Sequence, residues 1–273
     1  LVDKLRWLDI DFHGKTFETI APGGRVLGLA IIGSVNLGLV LLAWRWLERK
    51  RLSDLWLDFS RKAWRPLGLG LAFGLAEVTA VVAALAALGA LDVRWGLAAL
   101  SSGAAAKAFG WLLASVVLAP VVEEILNRGY WFQNLRRGWG EGVAVGVPAA
   151  LFGALHLLNP NPSWLGALNI AIGAVGFAVG MICFRSLLFP IGWHAAWNFA
   201  QFFIAGLPNS GFSVQAMGVS GATLLTSRPL GSSWLTGGEF GIEASLVDTV
   251  AVLSLTIALL VRARRQRTPG TPA

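Results

Sequence analysis

The sequence sets two adjacent carboxylates, Glu123 and Glu124, and a guanidinium, Arg128, inside a long apolar stretch, LAPVVEEILNRGYWF. Two of its three histidines also fall in apolar runs: His156 closes LFGALH, and His194 opens HAAWN, which ends at Asn198. A charge near the centre of a bilayer costs about 2.5–3.5 kcal/mol on insertion scales, so such groups face protein or a wet cavity. Adjacent helix positions point about 100° apart, so Glu123 and Glu124 cannot share a face. Glu124 and Arg128 stand four residues apart with the carboxylate on the N-terminal side, the favourable order for an ion pair. That pairing leaves Glu123 with Asn127, and no cation, on its own face. A desolvated carboxylate beside a second one is suited to taking a proton near neutral pH. The plainer alternative is a structural salt-bridge cluster at a helix end.

The histidines extend this set. His194 and Asn198 share one helix face, as do Phe152 and His156. A carboxylate, two imidazoles and an amide can deprotonate a water, orient it and stabilise an oxyanion. Glu123, His156 and His194 are also ligands that zinc accepts, and the residues leave both routes open. The sequence has no H-E-x-x-H helix and no G-x-S-x-G elbow. Attack of water on a peptide bond fits the set best. Two other classes remain as alternatives. One is a non-catalytic membrane scaffold. The other is a transporter relaying protons or solute through the same groups, although repeated halves are lacking.

These residues need elements to position them, and composition says which kind. Of 273 residues, 55% are hydrophobic and only 14% charged, against about 25% charged in a soluble domain. With 13 Trp and 33 Gly, the chain reads as an all-α, polytopic transmembrane helical bundle of about seven to eight spans. Apolar runs cover 26–47, 66–91, 104–135, 142–158, 163–187, 190–206 and 244–262. The basic stretches RWLERKRLSDLWLDFSRKAWR, NLRRGWG and VRARRQR alternate with loops of few bases. Seven spans then put the C-terminus and basic loops in the cytoplasm and the N-terminus outside. The net charge of +7 follows from that flanking, and no nucleic-acid partner is implied.

On these boundaries His156 falls near the outer end of its span and His194 near the inner end of its own. A shared site therefore requires short or broken helices, for which Pro148, NPNP and Pro190 offer places. Residues 1–103 form a lead-in and two spans, 104–262 a core, and 263–273 a basic cytoplasmic tail. Cys183 is a lone packing residue, and His13 sits in the polar lead-in. Glu77 is expected to pair with Lys107 or Arg128 or to line a cavity. Trp193 and Trp197 form an aromatic ridge for packing or lipid contact. Loop 207–243, rich in Gly and Ser, reads as a linker rather than a lid.

Three elements occur in order on successive apolar segments: EEILNR as E-E-x-x-x-R, FGALH as F-x-x-x-H, and HAAWN as H-x-x-x-N. Together they resemble the CPBP family of intramembrane proteases, which includes the eukaryotic CAAX prenyl endopeptidase and bacterial Abi or bacteriocin-processing members. The resemblance covers roughly 105–262, and GGEFGIEASL is similar to a Gly-rich segment of bacterial members. It implies a helical bundle with a water-filled cavity open to the cytosol, in a bacterial inner membrane. It implies Glu123 as the base, His156 holding the water or a metal, and His194 and Asn198 binding the oxyanion. Glu124 and Arg128 would support them. Zinc or no metal at all are both compatible with the family. The substrate would be a peptide or protein, either prenylated or a secreted leader.

Overall fold

The computed structural model describes residues 22–96, 116–216 and 223–267; His13, Lys107 and the start of the expected third span lie outside them. Helix α1 (Pro22–Leu42) runs into a π-helical turn, Ala43–Leu47. A loop with two 3-10 turns leads to α2 (Trp64–Ala87) and then β1 (Leu91–Trp95). Residues 116–124, the π-helical stretch Ile125–Trp131 and Phe132–Leu155 together make α3. Next come α4 (Trp164–Phe184) and α5 (Leu188–Phe199), the latter prolonged by a π-helical turn, Ala200–Ile204. Strand β2 (Leu225–Pro229) and α6 (Leu246–Arg267) follow. Among the described residues four helices, α2, α3, α4 and α6, are long and apolar enough to cross a membrane, and Ile31–Leu47 adds a shorter apolar helix. The protein is a multi-pass helical membrane bundle.

Helix α3 is folded back on itself. At about 1.5 Å per residue, a straight helix would part Arg128 from Phe152 by roughly 36 Å. The Arg128 guanidinium instead lies 4.7 Å from the Phe152 ring centroid. The turn is at Gly140, with φ 84° and ψ 174°, a conformation that costs glycine little. The described part of the run expected at 104–135, from residue 116 on, and the run expected at 142–158 are therefore the arms of one helical hairpin. That reversal also brings His156 back to the depth of the first arm.

The basic loops gather at one end of the bundle. Trp44 donates its indole N–H to Arg51 O at 2.8 Å, and Leu187 N donates to Trp56 O at 2.9 Å. Arg136 and Arg185 lie over the Trp56 ring at 4.8 and 5.5 Å, and Arg137 lies over Trp44 at 5.3 Å. The guanidiniums keep water while their planes cover aromatic faces.

The opposite end departs from an all-α reading. Strands β1 and β2 pair antiparallel, with Leu91 opposite Pro229 and Trp95 opposite Leu225. Helices α2 and α5 both finish at this end, so their outgoing segments meet and satisfy each other's backbone groups. Leu230 N donates to Ala90 O and Leu224 N to Phe203 O, each at 2.8 Å. Loop 207–243 is thus an ordered cover in its described parts, not a linker.

Helices α2 and α5 approach through small residues. A Cβ on Gly74 would stand 2.8 Å from Trp197 N and 3.0 Å from Ala196 Cβ, and one on Gly192 would stand 2.6 Å from Leu67 O. Gly70 and Gly74 form a GxxxG face, which lets membrane helices touch backbone to backbone. Gly74→Leu is expected to force the pair apart and lower stability by about 1–3 kcal/mol, read as a lower unfolding temperature in detergent. The close approach also sets Trp193 Nε1 2.7 Å from Glu77 Oε2, to which it donates. With 1% exposure, Trp193 is no lipid contact. Glu77 takes its hydrogen bond from Trp193 rather than from Arg128.

Candidate active site

The first arm of α3 separates its two carboxylates as helical spacing requires. Glu124 is fully buried, and its Oε1 accepts from Arg128 at 3.0 Å. Arg128 is held between two aromatic rings, 4.7 Å from the Phe152 centroid and 5.3 Å from that of Phe177. Glu123 keeps 39% of its side chain exposed and lines a cavity together with Asn127. Asn127 Nδ2 donates back to Glu123 O at 2.8 Å. The π-helical stretch begins directly after Glu124. Such an insertion turns the following side chains by part of a helical step and recurs at functional sites.

The second arm of α3 brings His156. Its Nδ1–H donates to Phe152 O at 2.6 Å, which fixes the tautomer and leaves Nε2 as an acceptor. The His156 ring packs edge-on against Phe152 at 4.7 Å. Helix α5 brings His194, stacked on Phe177 at 5.5 Å. Its Nδ1 lies 3.0 Å from Glu124 Oε1 and its Nε2 3.8 Å from Glu123 Oε2. His194 therefore bridges the buried carboxylate and the cavity-facing one. A gap of 3.8 Å exceeds a direct hydrogen bond and suits two groups sharing a water.

Asn198 sits one turn beyond His194. Its Oδ1 accepts from Asn209 Nδ2 at 3.2 Å, and Asn209 Nδ2 also reaches Gln201 Oε1 at 3.2 Å. With its oxygen engaged, Asn198 has its amide N–H groups left to offer the cavity. Gln201 Nε2 in turn donates to Pro208 O and to Glu243 Oε2, and Ser210 N donates to Glu243 Oε1. Burial pushes the Glu243 carboxyl up to about 7, against the pull of these hydrogen bonds. Sequence reasoning missed Gln201, Asn209 and Glu243. The available signal was Glu243, a carboxylate in a Gly-rich segment immediately before an apolar helix.

All four candidate catalytic residues, Glu123, His156, His194 and Asn198, line one cavity of about 420 Å³. Glu124 and Arg128 lie behind it. His194 is six residues into α5, about 9 Å from the basic end. From there the lining runs to Asn159, Asn209 and Phe212 at the far end. Among the described residues, no three His, Cys, Asp or Glu side chains converge as a metal-holding group. The arrangement thus does not fit the zinc set Glu123, His156 and His194. The Glu123 carboxylate and the Asn198 amide line the same cavity.

Residues 105–200 match the model of a protein family described as type II CAAX prenyl endopeptidase Rce1-like. The match spans the E-E-x-x-x-R, F-x-x-x-H and H-x-x-x-N elements, and stops before Gln201, Asn209 and Glu243. No curated protein and no solved structure matches the chain.

Proposed function

We take membership of the CPBP family of intramembrane proteases, supported over residues 105–200, as the premise and propose that this protein is an intramembrane endopeptidase in which Glu123 activates water. The observation that carries the reading is the 3.8 Å gap between Glu123 Oε2 and His194 Nε2, on the wall of a cavity shared with His156 and Asn198. Glu123 takes a proton from the water as its oxygen adds to the scissile carbonyl carbon. The carbonyl electron pair moves to oxygen, and Asn198 Nδ2–H donates to that oxyanion. Collapse breaks the C–N bond, and the departing amine receives the proton from Glu123. His156 Nε2 accepts a hydrogen bond from the water and orients it. Glu124 and Arg128 act one step back: the carboxylate holds His194 through Nδ1, and the guanidinium balances the carboxylate.

The core would be 104–262 within seven to eight spans, in a bacterial inner membrane with the basic end in the cytoplasm. The scissile bond would then lie in the cytoplasmic half, and its substrate would be a peptide or protein, prenylated or a secreted leader. The test is the purified protein with a peptide library, with and without a chelator. Cleavage at defined bonds supports the proposal. No cleavage, with solute or proton flux in liposomes instead, would favour the transporter alternative. Asn198→Ala should lower kcat by about 10²–10³-fold with little change in KM, the usual cost of one oxyanion donor.

A further inference from the structure

A second, smaller cavity adjoins the first, and the two share Phe152, His156, His194, Asn198 and Ser210 in their walls. It extends between α2, α4 and α6 to Glu77, Asp248 and Glu243. These three carboxyls are only 4%, 3% and 4% exposed, and no Lys or Arg lines the cavity among the described residues. Both oxygens of Glu243 are engaged, by Gln201 and Ser210. Glu77 and Asp248 differ. Glu77 uses Oε2 for Trp193, while Glu77 Oε1 and Asp248 Oδ1 are buried with no partner. The two carboxyls come from different helices and line the same cavity.

Native structures leave few buried polar atoms unpaired, and a buried carboxylate without a cation is strongly penalised. Ionisable groups at membrane depth mark functional sites by default. The other walls include Phe177, Trp193 and Trp197, whose faces attract cations. We infer that this cavity is a specificity pocket for a cationic side chain of the substrate peptide, an alkylammonium that enters past His194 and ends between Glu77 and Asp248. The inference rests on the hydrolytic reading above and adds a substrate class to it. Size agrees. A cavity of about 60 Å³ is about two waters' share of liquid volume at roughly 30 Å³ each, room for an ammonium and its adjoining methylene, with the rest of a lysine stem in the larger cavity. The broader, planar guanidinium of arginine fits less well.

The experiment has two arms. In the first, wild-type protein is given paired peptides that differ only in lysine against norleucine near the cleaved bond. The lysine peptide should show at least about tenfold higher kcat/KM, because norleucine leaves the carboxyls unpaired. Asp248→Asn and Glu77→Gln should each shrink that ratio. Equal cleavage of both peptides by the wild type overturns the inference, whatever the variants do. In the second arm, n-butylammonium is titrated into Glu123→Gln protein, and the unfolding temperature is followed. A saturable rise that vanishes on adding Asp248→Asn supports the pocket, and no rise counts against it. A rise without cleavage of any peptide keeps the cation site and defeats the protease reading. A rise with cleavage indifferent to lysine assigns the site to free amines and overturns its role in substrate choice.

Discussion

Replacing Arg128 with Met is expected to lower unfolding stability by about 3–5 kcal/mol, the usual result of stranding one member of a buried ion pair. The pair is deeply buried, with side-chain exposures of 2% for Arg128 and 0% for Glu124. Methionine matches much of the length of arginine and can still fill the space between Phe152 and Phe177. What it cannot do is balance Glu124, whose Oε2 already lacks a partner. The loss is therefore electrostatic more than steric, and a second substitution separates the two. Adding Glu124→Gln to Arg128→Met should restore most of the stability, since a neutral pair avoids the stranded charge. Thermal unfolding of the single and double variants in the same detergent provides the comparison. A double variant as unstable as the single one would mean that Arg128 matters for packing alone.

Much of the candidate site was legible because helices impose a fixed period. Glu123 and Glu124 had to diverge, and Glu124 with Arg128 had to meet, once the stretch was helical. His156, His194 and Asn198 stood out because each is polar where its neighbours are apolar. Their convergence was harder to read. It depends on the turn at Gly140, which folds Phe152 back onto Arg128. The segment NLRRGWG signalled a break between two runs, but not which residues would then face each other.

The rest was hidden for physical reasons. Trp193 reads as one of two ridge tryptophans until GxxxG packing on α2 brings it to Glu77. That contact spans 116 residues of sequence, and local pattern carries no trace of it. Asn209, Ser210 and Gln201 look like ordinary loop and helix-end residues. Their meaning comes from Glu243, which ties them together from the far side of loop 207–243. The β1–β2 pairing escaped for a similar reason, because two five-residue strands in separate loops give little periodic signal.

The second large effect concerns Glu123 itself. Glutamine keeps its shape and its place on the cavity wall but cannot take a proton from water. General-base catalysis contributes about 10²–10⁴-fold to rate, so Glu123→Gln should lower kcat by that factor. Because Glu123 is part exposed and outside the Glu124–Arg128 pair, the substitution should leave the unfolding temperature nearly unchanged. The most direct measurement sets purified wild-type and Glu123→Gln proteins side by side on one cleavable peptide, following product by mass spectrometry and folding by thermal unfolding. General-base action at Glu123 requires cleavage by the wild type and a folded Glu123→Gln protein slower by at least about 10²-fold. A folded Glu123→Gln protein that cleaves the same bond at the wild-type rate would contradict it.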